Sequence, residues 1–245
     1  MRHSLLAILL LCTACSPSPT TPAAPSATSP AAVTDYLSAL AAIEKSATPV
    51  SLEALLGQAE AAQSALMEIS GGQAVLERYS DAEFSTLQTQ MRGLVLHRGM
   101  DTYAQPEPGF FLSLAKAHGR AEDVAFFKLY AGSWGPDQVP TYLKLRPQPT
   151  PCVRFGEGLI APLYAGWQRY AAQHGSAYTV RVAENLHDLE EVVALGTCAC
   201  DDVDSVLREQ AEFLERFPTA PKTADIKARR AQLISAPDVL PVHCR

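Results

Sequence analysis

The sequence predicts an all-α protein in which antiparallel helix pairs form a bundle or a short helical-repeat array. From Val33 onward, apolar residues recur mostly at intervals of three and four, the period of a helix that buries one face. Glycine, proline and capping residues interrupt this pattern at the spacing of helix ends. Only the segment AYTVRV, residues 177–182, has the composition of a strand.

The expected helices follow one another along the chain, and several have a recognisable start or stop. Ser51 can cap the second helix, and Ser80 with Glu83 forms a capping box at the start of the third. Gly119 marks the turn of a helical hairpin. Helices are expected at residues 34–46, from 51 to a break at 71–72, from 80 to about 99, at 109–118, 120–135, 159–174, 186–195, 203–217 and 223–234.

Composition and charge narrow the classes of function. The chain has 245 residues, of which 47% are hydrophobic and 19% charged, as is ordinary for a globular protein with a substantial core. The formal net charge is −6, and no basic run exceeds Arg229-Arg230. Nucleic-acid binding requires a concentrated cationic surface that displaces counterions from phosphates, so we expect no nucleic-acid partner. A proline-rich stretch, residues 135–152, is expected to separate an N-terminal helical region, 33–150, from a C-terminal region, 151–245.

The N-terminus has the layout of a secretory signal. Residues 1–3 carry positive charge, residues 4–11 are almost wholly apolar, and the small residues 13–14 precede Cys15. The apolar run is too short to span a bilayer, which takes about 20 residues. From Cys15 to residue 32 the chain is rich in Pro, Ser, Thr and Ala and has no periodicity, so we expect a disordered tether.

This layout resembles the signal of a bacterial lipoprotein. The resemblance covers residues 1–15 and implies that residues 1–14 are removed and that Cys15 carries the lipid. Cys12 stands at the −3 position, where that family usually has Leu. Ser16 rather than Asp after the lipidated cysteine implies, in enteric-type bacteria, sorting to the periplasmic face of the outer membrane. The alternative is an ordinary signal peptide with a secreted product.

Four further cysteines predict two disulfides in the C-terminal region. Because Cys12 would leave with the signal, Cys152, Cys198, Cys200 and Cys244 remain in an oxidising compartment. A Cys198–Cys200 bridge would close a very small ring. We therefore expect Cys198 and Cys200 to form separate disulfides, one with Cys152 and the other with Cys244. We favour Cys152–Cys198 with Cys200–Cys244, and the crossed pairing stays open.

We expect no metal ion, no cofactor and no catalytic residue. Thiol redox chemistry at Cys198–Cys200 would lack the usual Cys-x-x-Cys motif. In the segment ENLHDLEE, Glu184 and His187 have the spacing of a di-iron motif, but the required second pair is missing. Nucleophile-elbow, P-loop, zinc-protease and dinucleotide motifs do not occur. An alternative zinc site, whose spacing does not match the usual zinc fingers, would use Cys198, Cys200, His243 and Cys244.

Residues 211–233, AEFLERFPTAPKTADIKARRAQL, resemble a helical hairpin of the tetratricopeptide type. Phe217-Pro218 ends one helix, and Pro221 lies in the turn. The resemblance implies close packing of the second helix through small residues, Ala224, Ala228 and Ala231. Similar segments occur in periplasmic tetratricopeptide lipoproteins. No clean repeat of about 34 residues occurs elsewhere, so the resemblance is to local geometry.

These features predict a non-enzymatic protein-binding module, anchored by its lipid to the periplasmic face of the outer membrane. Its partners would be the membrane and another periplasmic or envelope protein, which it would meet as an assembly scaffold or as an inhibitor or immunity protein against a secreted toxin. The alternative is an envelope hydrolase, acting for instance on peptidoglycan. Two carboxyl groups about 5 to 9.5 Å apart in a cleft would favour the hydrolase. A shallow groove or an apolar patch would favour the binding module.

Overall fold

The computed structural model describes residues 30–99, 101–135, 138–147, 150–236 and 242. This described part is mostly helical, as the sequence predicts. None of its helices is both long and apolar enough to cross a membrane. Its α-helices are α1 (Ala31–Glu44), α2 (Glu53–Met67), α3 (Asp81–Gln90), α4 (Pro108–His118), α5 (Ala121–Ser133), α6 (Ile160–Gln173), α7 (Thr179–Leu195), α8 (Val203–Arg216) and α9 (Thr223–Ser235).

Helix starts are set partly by local caps and partly by distant residues. The capping box of α3 is confirmed, because the Ser80 hydroxyl accepts from the Glu83 N–H and the Glu83 carboxylate accepts from the Ser80 N–H at 2.8 Å. At the start of α2, the Ser51 hydroxyl accepts from the Glu53 N–H at 3.4 Å. The adjoining Leu52 N–H donates instead to the carboxylate of Asp123, 71 residues away, at 2.9 Å. The start of α2 is therefore joined directly to the start of α5.

The expectation of an all-α protein is too simple, because three antiparallel strand pairs also form in the described part of the chain. The predicted third helix ends at Gln90 rather than near residue 99, since Gly93 adopts a φ of +82° and reverses the chain. Leu94 and Leu96 then point into the core with the two-residue period of a strand. The strands are β1 (Ile69–Ser70) with β2 (Gln73–Ala74), β3 (Leu94–Arg98) with β4 (Thr102–Pro106), and β5 (Leu143–Lys144) with β6 (Cys152–Val153). A 3-10 helix lies at Val75–Arg78.

The strand-like composition of residues 177–182 does not produce a strand, because the chain is helical from Thr179 onward. Tyr178 precedes this helix with a φ of +55° and is completely buried. Its N–H donates to the Glu53 carboxylate at 3.0 Å, so the distant α2 orients the start of α7. The helix also begins earlier than the predicted residue 186. Its buried apolar positions have helical spacing: Val182, Leu189 and Val193.

The apolar core is continuous across the predicted division at residue 150. The ring of Phe126, on α5, stacks on Tyr178 with centroids 3.8 Å apart and lies 5.5 Å from Trp167 on α6. Polar contacts follow the same route, since Arg181 donates to the Glu60 carboxylate at 2.8 Å. The proline-rich stretch is therefore a change in composition and not a gap between two hydrophobic cores.

The helical hairpin expected near residues 211–233 forms from α8 and α9, which pack against each other. The packing role expected of Ala224, Ala228 and Ala231 is wrong, because all three are exposed. Ile226 and Leu233 are the residues of α9 that are completely buried. They lie seven positions apart, two turns of a helix, so they belong to one stripe.

Candidate functional site

The first feature of the candidate site is the disulfide Cys152–Cys200, which joins β6 to the loop after α7. The favoured Cys152–Cys198 pairing is therefore wrong. Backbone pairing explains why Cys152 bonds to Cys200. The Val153 N–H donates to the Cys198 carbonyl at 2.7 Å, and the Cys200 N–H donates to the Val153 carbonyl at 2.9 Å. This parallel bridge between Val153 and Ala199 aligns Cys200, not Cys198, with Cys152.

The disulfide also removes the two alternatives for these cysteines. A sulfur bonded to Cys152 is not a zinc-binding thiolate, so the zinc site that includes Cys200 does not form. For the same reason Cys198 and Cys200 are not a dithiol redox pair. Among the described residues, no cluster of three or more His, Cys, Asp or Glu side chains could hold a metal ion. Cys15 and Cys244 lie outside the described residues.

The chain between residues 139 and 145 forms part of an open groove, which we call the β5 groove. It has a volume of about 690 Å³. Its apolar walls are Val139, Pro140, Leu143 and Leu145, and Leu145 is 50% exposed. Its charged walls are Lys144, Arg154 and Glu157.

The charges of the β5 groove are partly neutralised by each other. Arg154 donates from Nε to the Glu157 carboxylate at 3.0 Å and from Nη1 to the Thr141 carbonyl at 3.1 Å. The hydrogen bond to Glu157 raises the pKa of Arg154. Glu157 is thus the ion-pair partner of Arg154. Lys144 is exposed and, within the described part of the chain, forms no ion pair.

A second, smaller cleft of about 180 Å³, which we call the tryptophan pocket, adjoins the same stretch of chain. Aromatic rings from Trp134, Tyr142 and Trp167 form its walls, and Pro140 is shared with the β5 groove. Asp188 contributes its carboxylate. The two clefts therefore share one short segment of chain as a common wall.

Two other clefts lie between paired helices. One of about 370 Å³ separates α1 from α2 and includes Asp35, and one of about 170 Å³ lies at the α6–α7 turn beside His174. Each of the four clefts described here has at most one carboxylate in its walls. None of them supplies the paired carboxyl groups that a glycoside hydrolase uses.

Three buried acidic residues were missed by sequence reasoning, and each has a structural partner. Asp123 accepts from the N–H of Arg120 at 2.8 Å, a capping contact that the acidic first turn of α5 would have predicted. Glu190 accepts from the Tyr164 hydroxyl at 2.6 Å. Glu209 accepts from a backbone N–H at 2.8 Å, and burial raises its pKa. No local pattern distinguishes Glu190 and Glu209 from solvated residues of their helices.

The polar segment ENLHDLEE divides between solvent and core. His187 is exposed, as expected, and lies 3.9 Å from Glu191, which also pairs with Lys222. Glu190 instead points into the core, as does Leu189. His187 and Glu184 lie on the exposed side of α7 and do not form a metal site with other described residues.

Comparison with known proteins gives no relative from which a function could be transferred. No family model, no curated protein and no solved structure matches the chain.

Proposed function

We propose that this chain is a lipid-anchored periplasmic protein of the outer membrane that binds another envelope protein and has no catalytic activity. Cys15 would carry the lipid, and residues up to 32 would tether the helical domain to the membrane. The lipoprotein-type signal and the disulfide Cys152–Cys200 support this location, because disulfides persist in oxidising compartments.

The observation that carries the binding proposal is the edge strand β5 in the wall of the β5 groove. On one side β5 pairs with β6, which in turn bridges to Ala199, so β5 is the outer strand of this small sheet. An edge strand offers backbone groups to which an extended polypeptide can add as a further strand. Leu143 and Leu145 offer apolar contacts beside that edge, and Lys144 offers a charge.

We propose that the partner contributes an extended segment that lies along β5. This mode of binding requires a rigid edge, and the Cys152–Cys200 bridge holds the neighbouring strand in place. A scaffold and a toxin inhibitor would both use this surface. The identity of the partner distinguishes them, because a scaffold binds a resident envelope protein and an inhibitor binds a secreted toxin.

A second bridge, Cys198–Cys244, belongs to the same proposal. The Ala199 N–H donates to the carbonyl of Val242 at 2.6 Å, and Val242 is buried. Cys244 follows Val242 by two residues in the sequence, and Cys198 directly precedes Ala199, which supports this pairing. The bridge would fasten the C-terminus to the far side of the small sheet.

Site-specific photocrosslinking in living cells tests the binding surface. A photoreactive phenylalanine at Leu145 is expected to form a discrete adduct with one envelope protein. The same group at Ile234, which is 60% exposed on α9, is the control and is expected to form none. An absence of adducts at position 145, or the same adducts at both positions, would contradict the proposed surface. Mass spectrometry of the adduct identifies the partner.

The anchor and the hydrolase alternative have separate tests. Mass spectrometry of the mature protein is expected to find an acylated cysteine at position 15 as the first residue. An unmodified Cys15, or cleavage at another position, would contradict lipidation. Incubation of the purified protein with cell-wall material is expected to release no fragments, and a release that depends on the protein would favour the hydrolase.

A further inference from the structure

The tryptophan pocket has the composition of a binding site and is not used by the proposed function. Its aromatic walls come from three separated parts of the chain: Trp134 at the end of α5, Tyr142 just before β5, and Trp167 in α6. Leu163 and Leu189 complete its apolar lining. Its volume of about 180 Å³ is below that of pockets for drug-sized ligands, so it suits a single small chemical group.

The walls are held in place before any ligand arrives. Trp167 is 1% exposed and packs against Phe126, with ring centroids 5.5 Å apart. Trp134 and Pro140 form an isolated antiparallel β-bridge. The Thr141 N–H supports this bridge by donating to the Ser133 carbonyl at 2.9 Å. The rings of Tyr130 and Trp134 contact each other, with centroids 6.1 Å apart. A preformed pocket binds without the cost of ordering its side chains.

The polar groups of the pocket include the Asn185 amide, the Asp188 carboxylate and the Tyr142 hydroxyl. Asn185 donates its amide N–H to the Arg181 carbonyl at 2.7 Å, and its amide oxygen has no hydrogen bond within the described residues. Asp188 follows three positions later on the same face of α7, and no described Lys, Arg or His forms an ion pair with it. Burial, reinforced by the Asp188 charge, raises the pKa of Tyr142 to about 12, so the Tyr142 hydroxyl stays neutral below that pH.

Among the described residues, no cationic side chain lines the pocket, although its carboxylate and its aromatic residues both attract positive charge. The face of an aromatic ring is electron-rich and stabilises an ammonium group within about 6 Å of the ring centroid. A carboxylate at the same site adds Coulomb attraction, which is larger near a protein surface than in bulk water.

We propose that the tryptophan pocket binds an organic ammonium group, supplied by a small amine or by a lysine side chain of another polypeptide. The aromatic residues of the pocket contact the group, and Asp188 supplies the opposite charge. The inference goes beyond the proposed function and does not depend on it, because Pro140 is the one described residue that lines both the tryptophan pocket and the β5 groove.

The chain provides its own reporter for this site. It has two tryptophans, Trp134 and Trp167, and both line the pocket, so all tryptophan emission comes from its walls. The purified protein is titrated with choline and, separately, with 3,3-dimethylbutanol, in which a carbon replaces the nitrogen. At constant ionic strength, choline is expected to give a saturable change in emission and the alcohol none.

A second arm distinguishes the two sources of the ammonium group. A capped Gly-Lys-Gly peptide is compared with the same peptide containing norleucine. Tighter binding of the lysine peptide than of choline assigns the pocket to a polypeptide side chain, and the reverse order assigns it to a small amine. If neither cation binds, or if the neutral analogues bind equally well, the proposal is overturned.

The charge requirement has a matched control on the same helix. Asp188→Asn is expected to weaken binding of the preferred cation at least tenfold, because it removes the charge and keeps the shape. Glu184→Gln also removes an exposed carboxylate of α7, but Glu184 does not line the pocket and binding is expected to be unchanged. Equal affinities of the two variants would overturn the role of Asp188. Because crosslinking at Leu145 tests the β5 groove, either proposal can fail without the other.

Discussion

The hydroxyl of Tyr178 donates to the carboxylate of Asp123 at 2.5 Å, and both side chains are completely buried. Asp123 also accepts from the N–H groups of Leu52 and Arg120. One carboxylate thus satisfies donors at the starts of α2 and α5 and before α7. Burial and the hydrogen bond to Asp123 raise the pKa of Tyr178, so its hydroxyl remains a donor.

Removing this contact is expected to destabilise the whole described core. Tyr178→Phe removes one hydrogen bond to a carboxylate and is expected to lower the free energy of unfolding by about 2 kcal/mol. Asp123→Ala leaves three donors without an acceptor and is expected to cost about 3 kcal/mol or more. Urea unfolding measures both changes. Asp201→Ala, at an exposed position, is the control, and a Tyr178→Phe effect no larger than that of the control would contradict the assigned role.

The disulfide Cys152–Cys200 is expected to contribute substantially to stability. It joins residues 48 positions apart, and the chain-entropy model gives about 4 kcal/mol for such a loop. The Cys152→Ala, Cys200→Ala double variant is expected to lose most of this free energy of unfolding, measured with urea under non-reducing conditions. Peptide mapping of the unreduced protein provides a direct check. A Cys152–Cys198 peptide would show that the pairing described here is wrong.

Glu209 is expected to make stability depend on pH. Burial raises its pKa, although the hydrogen bond from the Gly156 N–H opposes this. The folded protein therefore binds the proton more tightly than the unfolded chain. The contribution of Glu209 to the free energy of unfolding is complete below the ordinary carboxyl pKa. It is lost as pH rises through the raised pKa of the folded protein. Glu209→Gln, which does not ionise, is expected to become more stable relative to the unmodified protein as pH rises across this window.

Urea unfolding at a series of pH values measures this difference. Glu215→Gln, at an exposed position of the same helix, is the control and is expected to follow the unmodified protein. A Glu209→Gln variant whose relative stability does not change between acidic and neutral pH would contradict the prediction.

Alanine substitutions at Gly93 and Gly158 distinguish the energetic cost of steric crowding from that of backbone strain. Both have positive φ values, +82° and +71°. A Cβ atom at Gly93 would lie 2.4 Å from the Tyr36 hydroxyl and 2.6 Å from the Phe110 ring, whereas none of the surrounding atoms comes within 4 Å at Gly158. Gly158→Ala is expected to cost about 1–2 kcal/mol from conformation alone, and Gly93→Ala about 3 kcal/mol or more from strain and overpacking together. Thermal unfolding compares them, and equal losses would argue against crowding.

Local patterns in the sequence were sufficient for most of the helices. The apolar period predicted the presence of α1 and α2, and the Ser80–Glu83 box marked the start of α3. These features depend on residues within one or two turns of each other. The predictions that were wrong, a helix reaching residue 99 and a helix that begins only at residue 186, lie where a distant partner decides. Leu94 becomes a strand residue because Pro106 pairs with it, and Tyr178 is oriented by Glu53.

The sequence by itself determined the helical composition, the cysteine set and the signal-like N-terminus, because each is read from neighbouring residues. Only the tertiary structure decided which cysteine pairs with Cys152, where the edge strand β5 lies, and that Trp134 and Trp167 meet Asp188 around one pocket. Periodicity shows which face of a helix is buried but not which other helix covers it. That choice is made by the packing of the entire core, so neither candidate binding site has a sequence signature.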